Sequence, residues 1–346
     1  MPLSSFQRLN PLLKAVSRSF YLTLRVLPAP IRPQIGLAYL LARATDTIAD
    51  TQIVSQEQRL LALRRLRDRI LGLQQTRLDF GDLASHQGTP AERVLLERIE
   101  EALAVLDAFA APDQQLIREV LTTITGGQEL DLQRFAGAGP NRIVALRTDE
   151  ELDDYTYRVA GCVGEFWTRM CRSHLFPQDN IDDYALLSRG LRFGKGLQMV
   201  NILRDLPVDL RAGRCYLPRE GLAAVGLSPE ALLDPASEPA FRPHYHQHLA
   251  QAHAHLEAGW TYTNTLPGRM PRLRLACAWP LLIAARTLEK LGDGNVLLPG
   301  KRIKASRGEV RSLLLRSVLL YPFPGVWDRL FHGRSPRFRV NAVASE

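Results

Sequence analysis

Gln198, Asn201, Asp205 and Asp209 stand at relative positions 0, 3, 7 and 11 in the stretch QMVNILRDLPVDL. On a helix those positions form one stripe. Most of their neighbours are Met, Val, Ile and Leu, so amide and carboxylate groups cross an apolar helix, where burying them without partners is costly. The stretch AYLLARATDTIAD has nearly the same design, with Tyr39, Arg43, Asp46 and Asp50 at 0, 4, 7 and 11. Each stripe ends in Asp-x-x-x-Asp.

Two penalties make this pattern informative. Carboxylates at i,i+4 repel by about 0.2–0.5 kcal/mol. Both pairs also fall towards the C-terminal ends of their expected helices, where the helix dipole disfavours anions. A divalent cation removes both penalties. Oxygen ligands with incomplete protein coordination suit Mg²⁺, which keeps waters and takes substrate phosphates as its remaining ligands. Two such helices facing one another would clamp a diphosphate through several Mg²⁺ ions, with Arg18, Arg43 and Arg204 neutralising departing pyrophosphate. Solvated helix surface explains a single Asp-x-x-x-Asp. Two copies set in apolar sequence favour the metal. Pro207 lies inside the second pair, lacks a backbone donor, and is expected to end or kink that helix.

Other clusters read differently. The acidic run RTDEELDDY (147–155) places Thr148 three residues before Glu151, a capping box, and acids suit a helix start. In HYHQHLAQAHAH (244–255), His244, His248 and His255 share a helix face. No carboxylate completes a metal site there, and solvated histidines are the expectation.

The elements that position these residues are helices, expected near 33–52, 56–76, 91–109, 113–136, 149–174, 181–206, 243–265, 271–291 and 306–320. No pair of alternating β-runs competes with them. The expectation is therefore an all-α single domain over residues 1–346, without internal repeats. The chain has 346 residues, 46% hydrophobic and 23% charged, as a soluble globular protein does. Its net charge of +8 suits acidic partners, phosphate esters or anionic lipid. Aromatic content of 7% and the absence of a recognisable module argue against nucleic acid. The four cysteines form no CxxC pair and read as reduced thiols. The N-terminus lacks a signal-peptide pattern, and LLLRSVLLYPFPGVW (313–327) falls short of a spanning helix. The expected location is cytoplasmic, with room for peripheral membrane contact. A non-catalytic helical adaptor on a membrane surface would use the Arg excess and the Leu-rich C-terminus, but leaves both aspartate stripes unexplained.

SRSFYLTLRVLP, YLLARATDTIADT, DYTYRVAGCVGEFW and GLQMVNILRDLPVDLRAGRCYLP resemble, in order and separation, the squalene/phytoene synthase family of head-to-head prenyl transferases. The resemblance runs over roughly residues 10–320, leaving 321–346 as a tail without the eukaryotic membrane anchor. It implies an all-α isoprenoid-synthase bundle with a central active-site cavity and Mg²⁺ on Asp46, Asp50, Asp205 and Asp209. Ser17, Arg18, Tyr39, Gln198, Asn201 and Arg204 would hold diphosphate, and Arg43 would assist. Phe20 would face the reacting carbons, and Tyr155, in its Y-x-x-x-VAG segment, looks like the catalytic tyrosine. Ala160, Gly161 and Gly164 fit either close helix packing or room for a prenyl tail.

ARATDTIAD looks more like the squalene-synthase form of the first motif than the phytoene-synthase form. PGKRIKASRGEV is similar to a segment of squalene synthases that helps bind NADPH, with Lys304 its best candidate and Ser306 a departure. The implied function is condensation of two farnesyl diphosphates through presqualene diphosphate, then NADPH reduction to squalene, as in sterol or hopanoid biosynthesis. A phytoene or dehydrosqualene/hydroxysqualene synthase, without hydride transfer, is the alternative.

Overall fold

The structure is a computed structural model that describes residues 6–17, 20–51, 53–85, 89–300 and 302–333. It divides into two compact units, residues 1–133 with 165–180, and residues 134–164 with 181–346. The described residues are overwhelmingly helical, as the sequence periodicity predicts.

The first unit contains α1 (Asn10–Ser17), α2 (Phe20–Val26), α3 (Arg32–Asp50), α4 (Gln56–Ile70), α5 (Gly81–Ser85), α6 (Pro90–Glu97), α7 (Ile99–Asp107) and α8 (Ala111–Arg134), the last residue of α8 lying just past its boundary. Helix α3 is its centre, touching α1, α2, α4, α6 and α7. Leu37, Leu40, Leu41, Ala44 and Ile48 supply its fully buried face. The helix expected at 56–76 stops at Ile70. Gly72 adopts φ +74°, and its N–H donates to Arg69 while that of Leu73 donates to Asp68, which makes a Schellman stop. The helix expected at 91–109 is likewise two helices, because Arg98 leaves helical geometry.

The second unit contains β1 (Val144–Ala145), α9 (Asp149–Thr156), a π-helical turn (Tyr157–Gly161), the start of α10 (Cys162–Leu175), α11 (Asp183–Arg211), β2 (Arg214–Cys215), α12 (Arg219–Ala224), α13 (Glu238–Thr265), α14 (Pro271–Asp293), α15 (Arg307–Leu320) and α16 (Pro324–His332). β1 and β2 pair in parallel, a two-residue ladder that periodicity does not reveal. Thr148 caps α9 through the Glu151 N–H, as expected. Helix α11 packs along α13 and α14, and its inner residues Met199, Val200, Ile202, Leu203, Leu206 and Leu210 join one apolar core with Tyr245, Leu249 and Trp260. No described helix is long and apolar enough to cross a membrane.

Pro207 does not end α11, which continues to Arg211. The proline leaves the Leu203 carbonyl without its usual helical donor. The phenol of Tyr245, fully buried on α13, donates to that carbonyl at 3.0 Å. Burial also pushes the Tyr245 phenol well above its ordinary range, so it keeps its proton as a donor. His244 and His248 are buried, not solvated as expected, with their Nε2 atoms 3.2 Å apart. Burial holds both below the ordinary histidine value, His248 at about 4, so the pair is neutral at pH 7 and one ring donates to the other.

Tyr245→Phe should lower unfolding free energy by about 1–3 kcal/mol, the cost of leaving a buried carbonyl unsatisfied. Urea denaturation measures this. Adding Pro207→Ala should recover most of the loss, since alanine at that position restores the helical donor. If the double variant is no more stable than Tyr245→Phe, the phenol is not what carries the helix past Pro207.

Candidate active site

In the first unit, the α3 stripe is a partly accessible line on a helix whose flanks are buried. Tyr39, Arg43 and Asp46 are half-buried and Asp50 is exposed, while Leu40, Leu41, Ala44, Thr45, Thr47 and Ile48 are buried. Asp50 is the last residue of α3, as the dipole argument requires, and Arg59 from α4 donates to the Ala49 carbonyl at 3.1 Å. A guanidinium thus answers the negative helix end.

Arg43 pairs with Glu92 of α6 and stands 4.0 Å from Asp46. The Gln128 amide of α8 donates to Asp46. Desolvation first, and the neighbouring Asp50 second, push the Asp46 carboxyl up to about 7, against the smaller opposing pull of Arg43 and Gln128. Phe20 stacks on Tyr39 with ring centroids 5.0 Å apart, and the Tyr39 hydroxyl donates to Val16 at 3.3 Å. Ser17 is buried with its hydroxyl donating to Leu13 at 2.5 Å, and Arg18 lies outside the described residues.

The α11 stripe repeats this exposure pattern. Gln198, Asn201, Asp205 and Asp209 are all half-buried, between the core residues of α11. Asn201 donates to Gln198 at 3.3 Å. Asp205 accepts from both Arg204 and Arg302. Burial alone would raise its pKa, but the hydrogen bonds from these two arginines outweigh it and hold the carboxyl below the usual range. Tyr155 packs on Tyr216 at 4.6 Å between centroids, and Tyr216 on Phe135 at 5.0 Å. Lys304 is exposed on the segment before α15. Ser306 caps α15 in a box with Glu309.

Glu92, Gln128 and Arg302 escaped the sequence reading. The small residues are accounted for by packing, because a Cβ on Gly164 would lie 1.8 Å from the Gly190 carbonyl oxygen and one on Gly194 2.0 Å from that of Ala160.

The donor set of the first unit fits Mg²⁺. Two carboxylates raise one another's affinity for positive charge, and the buried Gln128 Oε1 beside them accepts no hydrogen bond among the described residues. No group of three His, Cys, Asp or Glu side chains converges as a metal cage among the described residues. Paired carboxylates that leave positions for water and phosphate are the Mg²⁺ habit.

The chain is of the all-α class, with two Asp-x-x-x-Asp turns that stand beside arginines. The model of the squalene/phytoene synthase family matches residues 13–309, and the chain belongs to that family, one of prenyltransferase enzymes. It is 32% identical to the presqualene diphosphate synthase of Zymomonas mobilis, over 87% of this chain and 89% of that one. It is 29% identical to the bifunctional lycopene cyclase/phytoene synthase of Leptosphaeria maculans over 68% of its length, spanning 38% of that larger protein. The fold is that of a TcSQS complex with the ligand E5700 (TM-score 0.74, 22% identity, 95% of each chain). It is also that of a dehydrosqualene synthase in complex with ligand (TM-score 0.66, 21% identity, 93% and 97%). This is the all-α isoprenoid-synthase fold.

The raised Asp46 value has a signed consequence. The unfolded chain loses this proton near its ordinary value of 3.8 and the folded one near 7, so folding stability falls as pH rises between those values. Relative to Asp46→Asn, the metal-free protein should lose Tm across that window. Mg²⁺ should raise the wild-type Tm more at about pH 8 than at about pH 5.5, because it binds the ionised pair. Equal Mg²⁺ shifts at the two pH values, read by differential scanning fluorimetry, would contradict this account.

Proposed function

We propose that the protein joins two farnesyl diphosphates head to head to give presqualene diphosphate, with Asp46, Asp50, Asp205 and Asp209 holding Mg²⁺. The carrying observation is that the carboxylates of both Asp-x-x-x-Asp turns remain accessible beside buried apolar residues of their own helices, in a member of this family. Resemblance to presqualene diphosphate synthase along most of both chains supports the farnesyl substrate.

Bound Mg²⁺ would supply the charge that lets a diphosphate leave. Arg43, Arg204, Asn201, Gln198 and Tyr39, with Ser17 and Arg18, would hold the diphosphates. The allylic C–O bond breaks with its electron pair leaving on pyrophosphate. A double bond of the second substrate attacks the cation, and loss of one proton closes the cyclopropane. Phe20, stacked on Tyr39, and Tyr155, stacked on Tyr216, offer aromatic faces to the cation. The Tyr155 phenol would pass the proton towards released pyrophosphate.

Reduction onward to squalene with NADPH is the fuller form of this reading, and the exposed Lys304 supports it. Incubation with farnesyl or geranylgeranyl diphosphate and Mg²⁺, with and without NADPH, followed by mass spectrometry of dephosphorylated products, tests both forms. Presqualene alcohol from farnesyl diphosphate is expected, with squalene only when NADPH is present if the reductive step belongs to this chain. Asp46→Asn and Asp205→Asn should each lower turnover by about 100-fold or more. Phytoene from geranylgeranyl diphosphate as the main product would overturn the substrate assignment, and full activity of either variant the metal assignment.

The partner surface proposed for this cytoplasmic enzyme is an anionic membrane. Helix α15 is apolar on two sides. Leu313 and Ser317 face inward, Ser317 bonded to Trp279 at 3.0 Å, while Leu315, Val318 and Leu319 face solvent at 61%, 49% and 60% exposure. Phe323 and Val326 extend the apolar surface, and Arg307, Arg311, Arg316 and Arg329 are exposed around it. An apolar face with a basic margin suits anionic headgroups. Sedimentation with phosphatidylglycerol-containing vesicles should bring the protein down. Leu315→Ser with Leu319→Ser, or Arg311→Glu with Arg316→Glu, should weaken binding by about 10-fold or more. Unchanged binding by both double variants would remove this surface from the account.

A further inference from the structure

Both oxygens of Asp205 are shared between two guanidinium groups. Oδ1 accepts from Nε of Arg204 at 2.9 Å and Nε of Arg302 at 2.8 Å. Oδ2 accepts from Nη2 of the same residues at 2.6 and 2.8 Å. A carboxylate offers about four acceptor positions, so this one is filled. A cation approaching Asp205 must displace at least one guanidinium.

The two arginines are not equally fixed. Arg204 is the helix neighbour of Asp205, with a side chain 23% exposed. Arg302 arrives from the segment between α14 and α15, 97 residues along the chain, and is 51% exposed. Both pairs are forked, but the more water-exposed one is the more weakly held, so Arg302 is the one that leaves. Its guanidinium fork matches phosphate oxygens as well as carboxylate oxygens.

We propose that Arg302 is a placeholder cation. It occupies Asp205 until divalent cation and diphosphate arrive together, then transfers its two donors from the carboxylate to the diphosphate. It therefore opposes metal binding alone and favours metal binding with diphosphate. The inference rests on the metal–diphosphate reading of the aspartate turns. It keeps the Asp205 carboxylate paired until substrate arrives, and it makes loading of the second turn depend on diphosphate.

Mn²⁺ affinity, measured by electron paramagnetic resonance of free Mn²⁺ without turnover, tests this. Arg302→Gln should bind Mn²⁺ about 3- to 10-fold more tightly than wild type when no diphosphate is present. With saturating inorganic pyrophosphate the order should reverse, the variant binding more weakly. In an Asp205→Asn background, Arg302→Gln should change Mn²⁺ affinity without diphosphate by less than 2-fold. Arg302→Lys, which keeps the charge and loses the fork, should fall between wild type and Arg302→Gln in the first measurement. An unchanged Mn²⁺ affinity in Arg302→Gln, or the same gain with Asp205 removed, overturns the placeholder. Failure of the prenyl diphosphate assignment would appear separately, as absent product with the Mn²⁺ pattern intact.

Discussion

A carboxylate pair near the C-terminal end of a helix needs a counter-charge, and each unit of this chain meets that need differently. In α3 the nearest guanidinium, Arg43, is committed to Glu92 and reaches Asp46 only at 4.0 Å. Arg59 donates to the Ala49 carbonyl at the helix end. With Asp50 one turn away, the Asp46 carboxyl responds by holding its proton up to about 7. In α11 the same motif meets two forked arginines, and Asp205 is held below the usual carboxylate range. The two aspartates at the same place in one sequence pattern therefore shift in opposite directions, Asp46 upward and Asp205 downward.

That difference matters only if both pairs keep i,i+4 geometry, and for α11 this depends on a residue remote from the chemistry. A proline between two motif aspartates would ordinarily break the turn they share. The Tyr245 phenol takes the bond that Pro207 cannot make, inside a core formed by the inner face of the same helix. Packing and polar satisfaction are here one arrangement. The apolar residues that bury Tyr245 also exclude the water that would otherwise reach the orphaned carbonyl.

The aspartate stripes were legible because their period of three and four sets them against apolar neighbours, and most of those neighbours are buried, Val208 being the exception. The stop at Gly72 was missed, because a helical pattern continues on paper to residue 76. Pro207 was correctly seen as a lost donor. Its remedy lies on another helix, 42 residues from the carbonyl it serves. Glu92, Gln128 and Arg302 were invisible for the same reason, standing 49, 82 and 97 residues from their partners. The histidines of α13 misled in the opposite direction. A run that reads as polar alternates with Tyr245, Leu249 and Ala252, and the fold buries His244 and His248 along with them.

The small residues after Tyr155 carry a geometric consequence for the second unit. Gly164 meets the Gly190 carbonyl and Gly194 meets that of Ala160 more closely than any side chain allows, so two backbones are in direct contact. Between Tyr155 and Gly164 the chain makes a π turn, which inserts an extra residue into an otherwise continuous helical run. That insertion changes the rotational phase between the helix before the turn and the helix after it. It lets the run present Tyr155 to Tyr216 on one side of the turn and a bare backbone to α11 on the other. With regular α-helical phase, the two contacts would call for different faces. Space for a prenyl chain is therefore not what these glycines provide. Their contact brings the backbone after the π turn directly against α11, the helix that carries Asp205 and Asp209.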